Sequence, residues 1–256
     1  MAKELPIDLE VIKEKHPDSF NTPEKIAKLG CDYLNGDGVE QNYEIGRALL
    51  EKAAELGYLY AMTLLGYLYH DDDYAGHDDE IAFEWFDRAA EYGLEEALFM
   101  LGVFYDNGYY VNKDETIAFY YYKLTAYNGV VSAQFNVGYD YHYGIGVPQS
   151  FKLAAKWYQL ACRYGYEEAM NNLGILYSVG HGVEKDEKKA FELVMESALV
   201  DDSVAMKNIG DFYMKGIGCQ KDLAKALEWF LKAKNNGEDV EVKISKLRDM
   251  LSNSSE

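Results

Sequence analysis

The sequence predicts an all-α protein, a right-handed α/α superhelix (solenoid) of six 36-residue helix-turn-helix repeats. Three observations carry this. Glycine returns every 36 residues at Gly30, Gly66, Gly102, Gly138, Gly174 and Gly210. Tyrosine keeps the same step from Tyr33 through Tyr69, Tyr105, Tyr141 and Tyr177 to Tyr213, and alanine does so at Ala61, Ala97, Ala133, Ala169 and Ala205. Between these marks the apolar residues recur with the spacing of a helix rather than a strand.

Residues 1–21 are read as an N-terminal segment in which Asp8 to Lys15 forms a short capping helix, stopped before Pro17. Thr22 followed by Pro23 is an N-cap with proline at the first helical position and opens the array. Six repeats then fill 22–238, at about 25–60, 61–96, 97–132, 133–168, 169–204 and 205–238. In the second of them Ala61, Leu65 and Tyr69 stand four apart on one helical stripe, and Ala82, Trp85, Phe86, Ala89 and Ala90 form the apolar face of a second helix.

Glycine pairs such as Gly36 with Gly38 and Gly144 with Gly146 suit the turn between the two helices. One register then holds Asn42, Asp78, Asp114, Ser150, Asp186 and Asp222, all side chains that accept a hydrogen bond from the free N–H groups of a first helical turn. Gly57, Gly93, Gly129, Gly165 and Gly237 close the second helices, with Asp201 as the exception. After the array, Val240, Ile244, Leu247 and Leu251 make a single stripe that predicts a capping helix at 239–251, and 252–256 are expected to be a disordered tail.

The recurrent small residues have a packing reason. Glycine inside a helix costs about 1 kcal/mol relative to alanine, so its return in each first helix predicts a second helix crossing too closely for a β-carbon. One repeat alone cannot cover its apolar faces, whereas stacked neighbours share a continuous core.

The formal charge of −19 repels phosphate backbones and acidic membrane faces, which argues against nucleic acid or a membrane as partner and favours basic or extended segments of another protein. The N-terminal residues lack an apolar run suited to a secretory signal, and no stretch approaches the roughly 20 apolar residues of a membrane span. Cys31, Cys162 and Cys219 are odd in number and scattered, as expected in a reducing compartment, so the location expected is cytoplasmic.

The segment from Ala61 to Tyr69, the Gly-x-Gly turn and the segment from Lys225 to Ala233 resemble the Sel-one-like repeat family, relatives of the tetratricopeptide repeat. The resemblance spans about Ile26 to Gly237. It implies a non-catalytic scaffold or adaptor that binds another protein on the curved face of a solenoid. Departures are local: Asp72 and Tyr74 replace the turn glycines of the second repeat, Tyr110 replaces the second turn glycine of the third, and Lys25 stands where later repeats have alanine. The shapes of those two turns are therefore left open.

Catalysis needs a nucleophile or acid–base pair brought together, and the five histidines are isolated from such partners in sequence. The acidic stretch from His70 to Glu80 fails the calcium-loop template, having Ala75 at the fifth position and Ala82 where the final glutamate belongs. No enzyme, cofactor or metal is expected. The alternative reading is a small-ligand or cell-wall-fragment binder or enzyme, as associated with cysteine-rich relatives; their two cysteines per repeat are missing here.

Positions that vary between repeats are the candidates for recognition. On the first helices an i, i+4, i+7 stripe reads Thr63, Tyr67, His70, then Phe99, Val103, Asp106, then Phe135, Tyr139, His142. By similarity to tetratricopeptide arrays, Tyr67, His70, Phe99, Asp106, Phe135, Tyr139 and His142 would line a concave groove; alternatively the aromatics pack between adjacent first helices. Beside them Asn136, Asn172 and Asn208 share a register held earlier by Leu64 and Met100. They would either bind an extended peptide backbone or tie one repeat to the next. An imperfectly capped array would also associate weakly with itself.

Overall fold

The computed structural model describes residues 7–252. The expected tail therefore lies outside the described residues except for Ser252, as do the first six residues of the N-terminal segment. The described residues form fourteen α-helices and one short 3-10 turn, with no strand.

They fall into two compact units that divide between Tyr121 and Tyr122. The first contains α1 (Leu9–Lys15), the 3-10 turn (Pro17–Asn21), α2 (Pro23–Asn35), α3 (Tyr43–Glu55), α4 (Tyr60–His70), α5 (Asp79–Glu91), α6 (Glu95–Asn107) and the start of α7 (Glu115–Tyr127). The second contains the rest of α7, α8 (Val131–Tyr143), α9 (Phe151–Cys162), α10 (Glu167–Val179), α11 (Glu187–Ala198), α12 (Ser203–Lys215), α13 (Leu223–Asn235) and α14 (Glu241–Ser252). The first helices of the repeats are thus the even-numbered ones from α2 to α12. Inside each unit a helix packs on its neighbours in sequence, as in α2 on α3 and α10 on α11.

Each second helix starts where a side chain can satisfy its first free N–H groups. Asn42 accepts from the Ile45 N–H at 2.9 Å, Asp78 from Glu80 and Ile81, Asp114 from Thr116 and Ile117, and Ser150, Asp186 and Asp222 likewise cap their helices. The same six residues also donate their own N–H to a tyrosine carbonyl: Asn42 to Tyr33, Asp78 to Tyr69, Asp114 to Tyr105, Ser150 to Tyr141, Asp186 to Tyr177 and Asp222 to Tyr213. This bond pins both ends of the turn. It fixes the distance from the last turn of one helix to the first turn of the next.

The helical glycines make the close approach that their spacing predicts. A β-carbon on Gly66 would come within 2.6 Å of the Phe86 ring, on Gly138 within 2.7 Å of Tyr158, on Gly174 within 2.5 Å of Val194 and on Gly210 within 2.8 Å of Phe230. All four neighbours are fully buried on the second helix of the same repeat. Ala61, Ala97, Ala133, Ala169 and Ala205 are also fully buried, so the repeating small residues set how near the helices lie.

The two atypical turns take different solutions. In the third repeat Tyr110 keeps the left-handed backbone of the missing glycine, with φ of 56°, and its hydroxyl donates to Glu80 at 2.9 Å. In the second repeat Tyr74 turns inward instead. It is buried against Tyr43 and Tyr69, with ring centroids 5.6 and 5.7 Å away. At the close of the fifth second-helix Asp201 takes the glycine conformation, with φ of 70°.

Candidate functional site

In the first unit the varying stripe is largely engaged inside the protein. Thr63 is fully buried and its hydroxyl has no hydrogen-bond partner among the described residues. Tyr67 packs edge-on against Phe86 and donates its hydroxyl to Glu96 at 3.0 Å. Burial and that carboxylate both raise the Tyr67 phenol above its ordinary range. Tyr60, two helical turns earlier and 40% exposed, has its phenol pushed up to about 12, chiefly by the nearby Glu96 carboxylate.

His70 holds its Nδ1 2.6 Å from Asp79 and lies between the rings of Phe104 and Tyr109, at 4.9 and 4.8 Å. Phe99 is half-buried against the core around Phe86 and Phe104, and Asp106 is half-buried on the last turn of α6.

The second unit brings more of the predicted residues together. Phe135 stacks on Tyr166 at 5.0 Å and reaches Tyr139 and Tyr158 at 6.0 Å each. His142 stacks on Tyr143 at 4.4 Å, meets Phe151 edge-on, and places Nδ1 3.3 Å from the Tyr158 hydroxyl. Desolvation lowers the His142 pKa, with His181 adding to the effect. Asn172 donates to the same Tyr158 hydroxyl at 3.4 Å. One buried tyrosine therefore ties candidates of the fourth and fifth repeats together.

Asn208 does not join this group; it donates to the buried Asn171 at 2.8 Å. Asn136 is half-buried on α8. For Asn172 and Asn208 the repeat-to-repeat tie is what the geometry displays. Of the aromatic stripe, Tyr139 stays 38% exposed and sits with its ring 4.5 Å from Tyr143, itself 53% exposed.

Sequence reasoning missed Tyr143, although it continues the helical stripe four residues after Tyr139. It also missed Asn171, a polar residue in the register of Thr63, Phe99 and Phe135. Among the described residues no group of His, Cys, Asp or Glu side chains could hold a metal, and the three cysteines are free. None of their helices is long and apolar enough to cross a membrane.

Among solved structures, the chain is similar to a protective antigen of uropathogenic Escherichia coli displaying an SLR fold, with 29% identity and a TM-score of 0.80. That match covers 91% of this chain and 49% of the antigen, so the chain spans about half the antigen's length. A Sel1 repeat protein from Oxalobacter formigenes is also 29% identical, with a TM-score of 0.77 over 86% of this chain and 90% of that one. An immunity protein from Pseudomonas aeruginosa, 16% identical with a TM-score of 0.50 over 97% of this chain and 89% of that one, shares the fold alone. Among curated proteins there is no match. The Sel1 repeat family model matches residues 26–58, 59–93, 95–130, 131–166, 167–194 and 203–238, and the chain thus belongs to the Sel1 repeat family, helical solenoids that generally mediate protein–protein interactions.

Proposed function

We propose that the protein is a non-catalytic adaptor that binds a peptide or helix of a partner protein along the groove face of its first helices. The observation that carries this reading is the exposed pair Tyr139 and Tyr143, held in place by the stack of His142 on Tyr143. Rigid aromatic side chains give large contact area for little lost conformational freedom, which is why they dominate binding energy at interfaces. Phe135, Asn136, Tyr139, His142, Asn172 and Asn208 frame this face in the second unit; Tyr67, His70, Phe99 and Asp106 are its counterparts in the first. The charge of −19 favours a basic or extended partner segment. We place the protein in the cytoplasm, on the strength of its three unpaired cysteines.

The test is affinity capture from the native cell with the wild type and with the double variant Tyr139→Ala, Tyr143→Ala, both checked by circular dichroism. The variant should lose the captured partner while keeping its helicity. Recovery of the same partner in equal amount would remove this face as the binding surface.

A further inference from the structure

Four asparagines are followed directly by glycine: Asn35, Asn107, Asn128 and Asn236. Asparagine is a thermolabile side chain, because the backbone nitrogen of the next residue can attack its amide carbon. Glycine presents that nitrogen with the least hindrance and the most conformational freedom. As sequence the four pairs are equivalent. The folded protein separates them.

Each pair ends a helix, and each glycine has positive φ. Two restraints hold such a pair back: a hydrogen bond on the attacking N–H and a hydrogen bond on the side-chain amide. Gly36 and Gly108 donate their N–H to the carbonyls of Asp32 and Phe104 at 2.8 Å, and both are half-buried, with Gln41 and Lys113 packed beside them. Asn107 also donates its amide to the Val103 carbonyl at 2.9 Å. Gly237 is exposed, but its N–H donates to Lys234 at 3.0 Å, and the Asn236 amide is held by the Lys232 carbonyl at 3.2 Å and by Met206 Sδ at 3.4 Å.

Asn128 is the least restrained of the four. It is exposed, and its side chain has no hydrogen-bond partner among the described residues. The Gly129 N–H makes the longest bond of the set, 3.2 Å to the Ala126 carbonyl, at the outer limit for N–H···O. Nothing stands within 4 Å of the place a β-carbon on Gly129 would take, which leaves room for a five-membered ring and for the water that opens it.

We propose that Asn128 is a site of spontaneous deamidation, and that its isoaspartate product loosens the turn where α7 meets α8. The Gly129 nitrogen bonds to Cγ of Asn128 and gives up its proton, the Cγ–Nδ2 bond breaks, and ammonia leaves with that proton. Water then opens the cyclic imide at either carbonyl, giving aspartate or isoaspartate. Isoaspartate lengthens the backbone by one carbon between Asn128 Cα and the Gly129 nitrogen. That carbon falls inside both bonds that close the turn, Gly129 N–H to Ala126 and Val130 N–H to Thr125, each 3.2 Å. On one side of it Tyr127 packs edge-on against Trp157 at 5.3 Å, and on the other α8 begins at Val131 and carries Tyr139 and Tyr143. Either product also puts a negative charge at the C-terminal end of α7, where the helix dipole disfavours it.

The experiment holds the full chain folded at mildly alkaline pH and body temperature and samples it by peptide mapping. Each event replaces a side-chain NH2 by OH and splits the peptide into aspartyl and isoaspartyl forms. Asn128 should convert at least about fivefold faster than Asn35, Asn107 or Asn236, the factor for opening one further hydrogen bond. In urea the four rates should converge, since the folded restraints are gone. Asn128→Gln removes the site and leaves the turn glycine in place, with circular dichroism checking the fold. Its first acidic band on isoelectric focusing should appear about fivefold later than that of the wild type, and its thermal midpoint should hold over an incubation in which the wild-type midpoint falls. Conversion of another pair as fast as Asn128, a lead for Asn128 that survives in urea, or an acidic band equally early in Asn128→Gln would each overturn the proposed site. Equal loss of midpoint in wild type and variant would overturn the loosening of the turn.

Discussion

Gly66 lies directly against the ring of Phe86, twenty residues later, so closely that a β-carbon would fall 2.6 Å from Cε1. Phe86 is fully buried and edge-on to Tyr67, so the ring cannot retreat without moving a residue of the candidate face. Gly66→Ala should therefore destabilise the protein by about 1–3 kcal/mol through overpacking, less the ~1 kcal/mol that alanine contributes to a helix interior. Urea unfolding measures it. Phe86→Leu combined with Gly66→Ala should cost less than the two changes added, and strict additivity would show that the contact is not the cause.

Tyr110 occupies the left-handed region without being glycine. A β-branched residue suffers most there, so Tyr110→Val should lower the thermal midpoint, with a cost of about 1–2 kcal/mol. Tyr110→Asn should be milder, because asparagine tolerates this backbone, while both variants lose the bond to Glu80 and the ring contact with Phe83. Equal midpoints for the two variants would refute the strain argument.

The unpartnered hydroxyl of Thr63 is a cost carried in the first unit's core. Thr63→Val keeps the shape and removes the desolvated polar group, so it should raise stability by about 1 kcal/mol or more. A calorimetric scan in which Thr63→Val melts below the wild type would count against the assignment.

His142 links the candidate face to pH. Its folded-state pKa is lowered, chiefly by desolvation among Phe151, Tyr143 and Tyr158. The unfolded chain therefore binds the proton more readily, and stability is lost as pH falls below the unfolded value of about 6.5 and through the lower folded one. His142→Phe keeps a ring in the stack and has no proton to gain. Between pH 7 and 5 its denaturation midpoint should fall less than that of the wild type; parallel curves would show that His142 is not the source.

Much of the helical framework is legible in the residues. Asp186 as an N-cap can be foreseen because a cap is satisfied within three residues of its own position, by the Lys189 N–H. Gly174 can be foreseen because its packing demand recurs at a constant step. Tyr74 and Tyr110 could not be separated in this way: both replace the same turn glycine, yet one is buried between a ring of the preceding repeat and one of its own and the other points outward from a strained backbone. That choice depends on whether Tyr43 and Tyr69 leave room for a ring.

The candidate face divides along the same line. The sequence alone determined the 36-residue period, the two-helix unit, its caps and the registers that vary, since caps are satisfied within a turn of chain and the packing demands of one repeat recur at a constant step in the next. Only tertiary structure decided that Asn172 reaches Tyr158, that His142 is desolvated beneath Tyr143, and that Tyr139 stays exposed while Phe135 is stacked on Tyr166. Residues of one helical stripe look equivalent when only their spacing is known. Which of them meets solvent is fixed by side chains 14 to 31 residues away, as Tyr158 is from Asn172 and Tyr166 from Phe135.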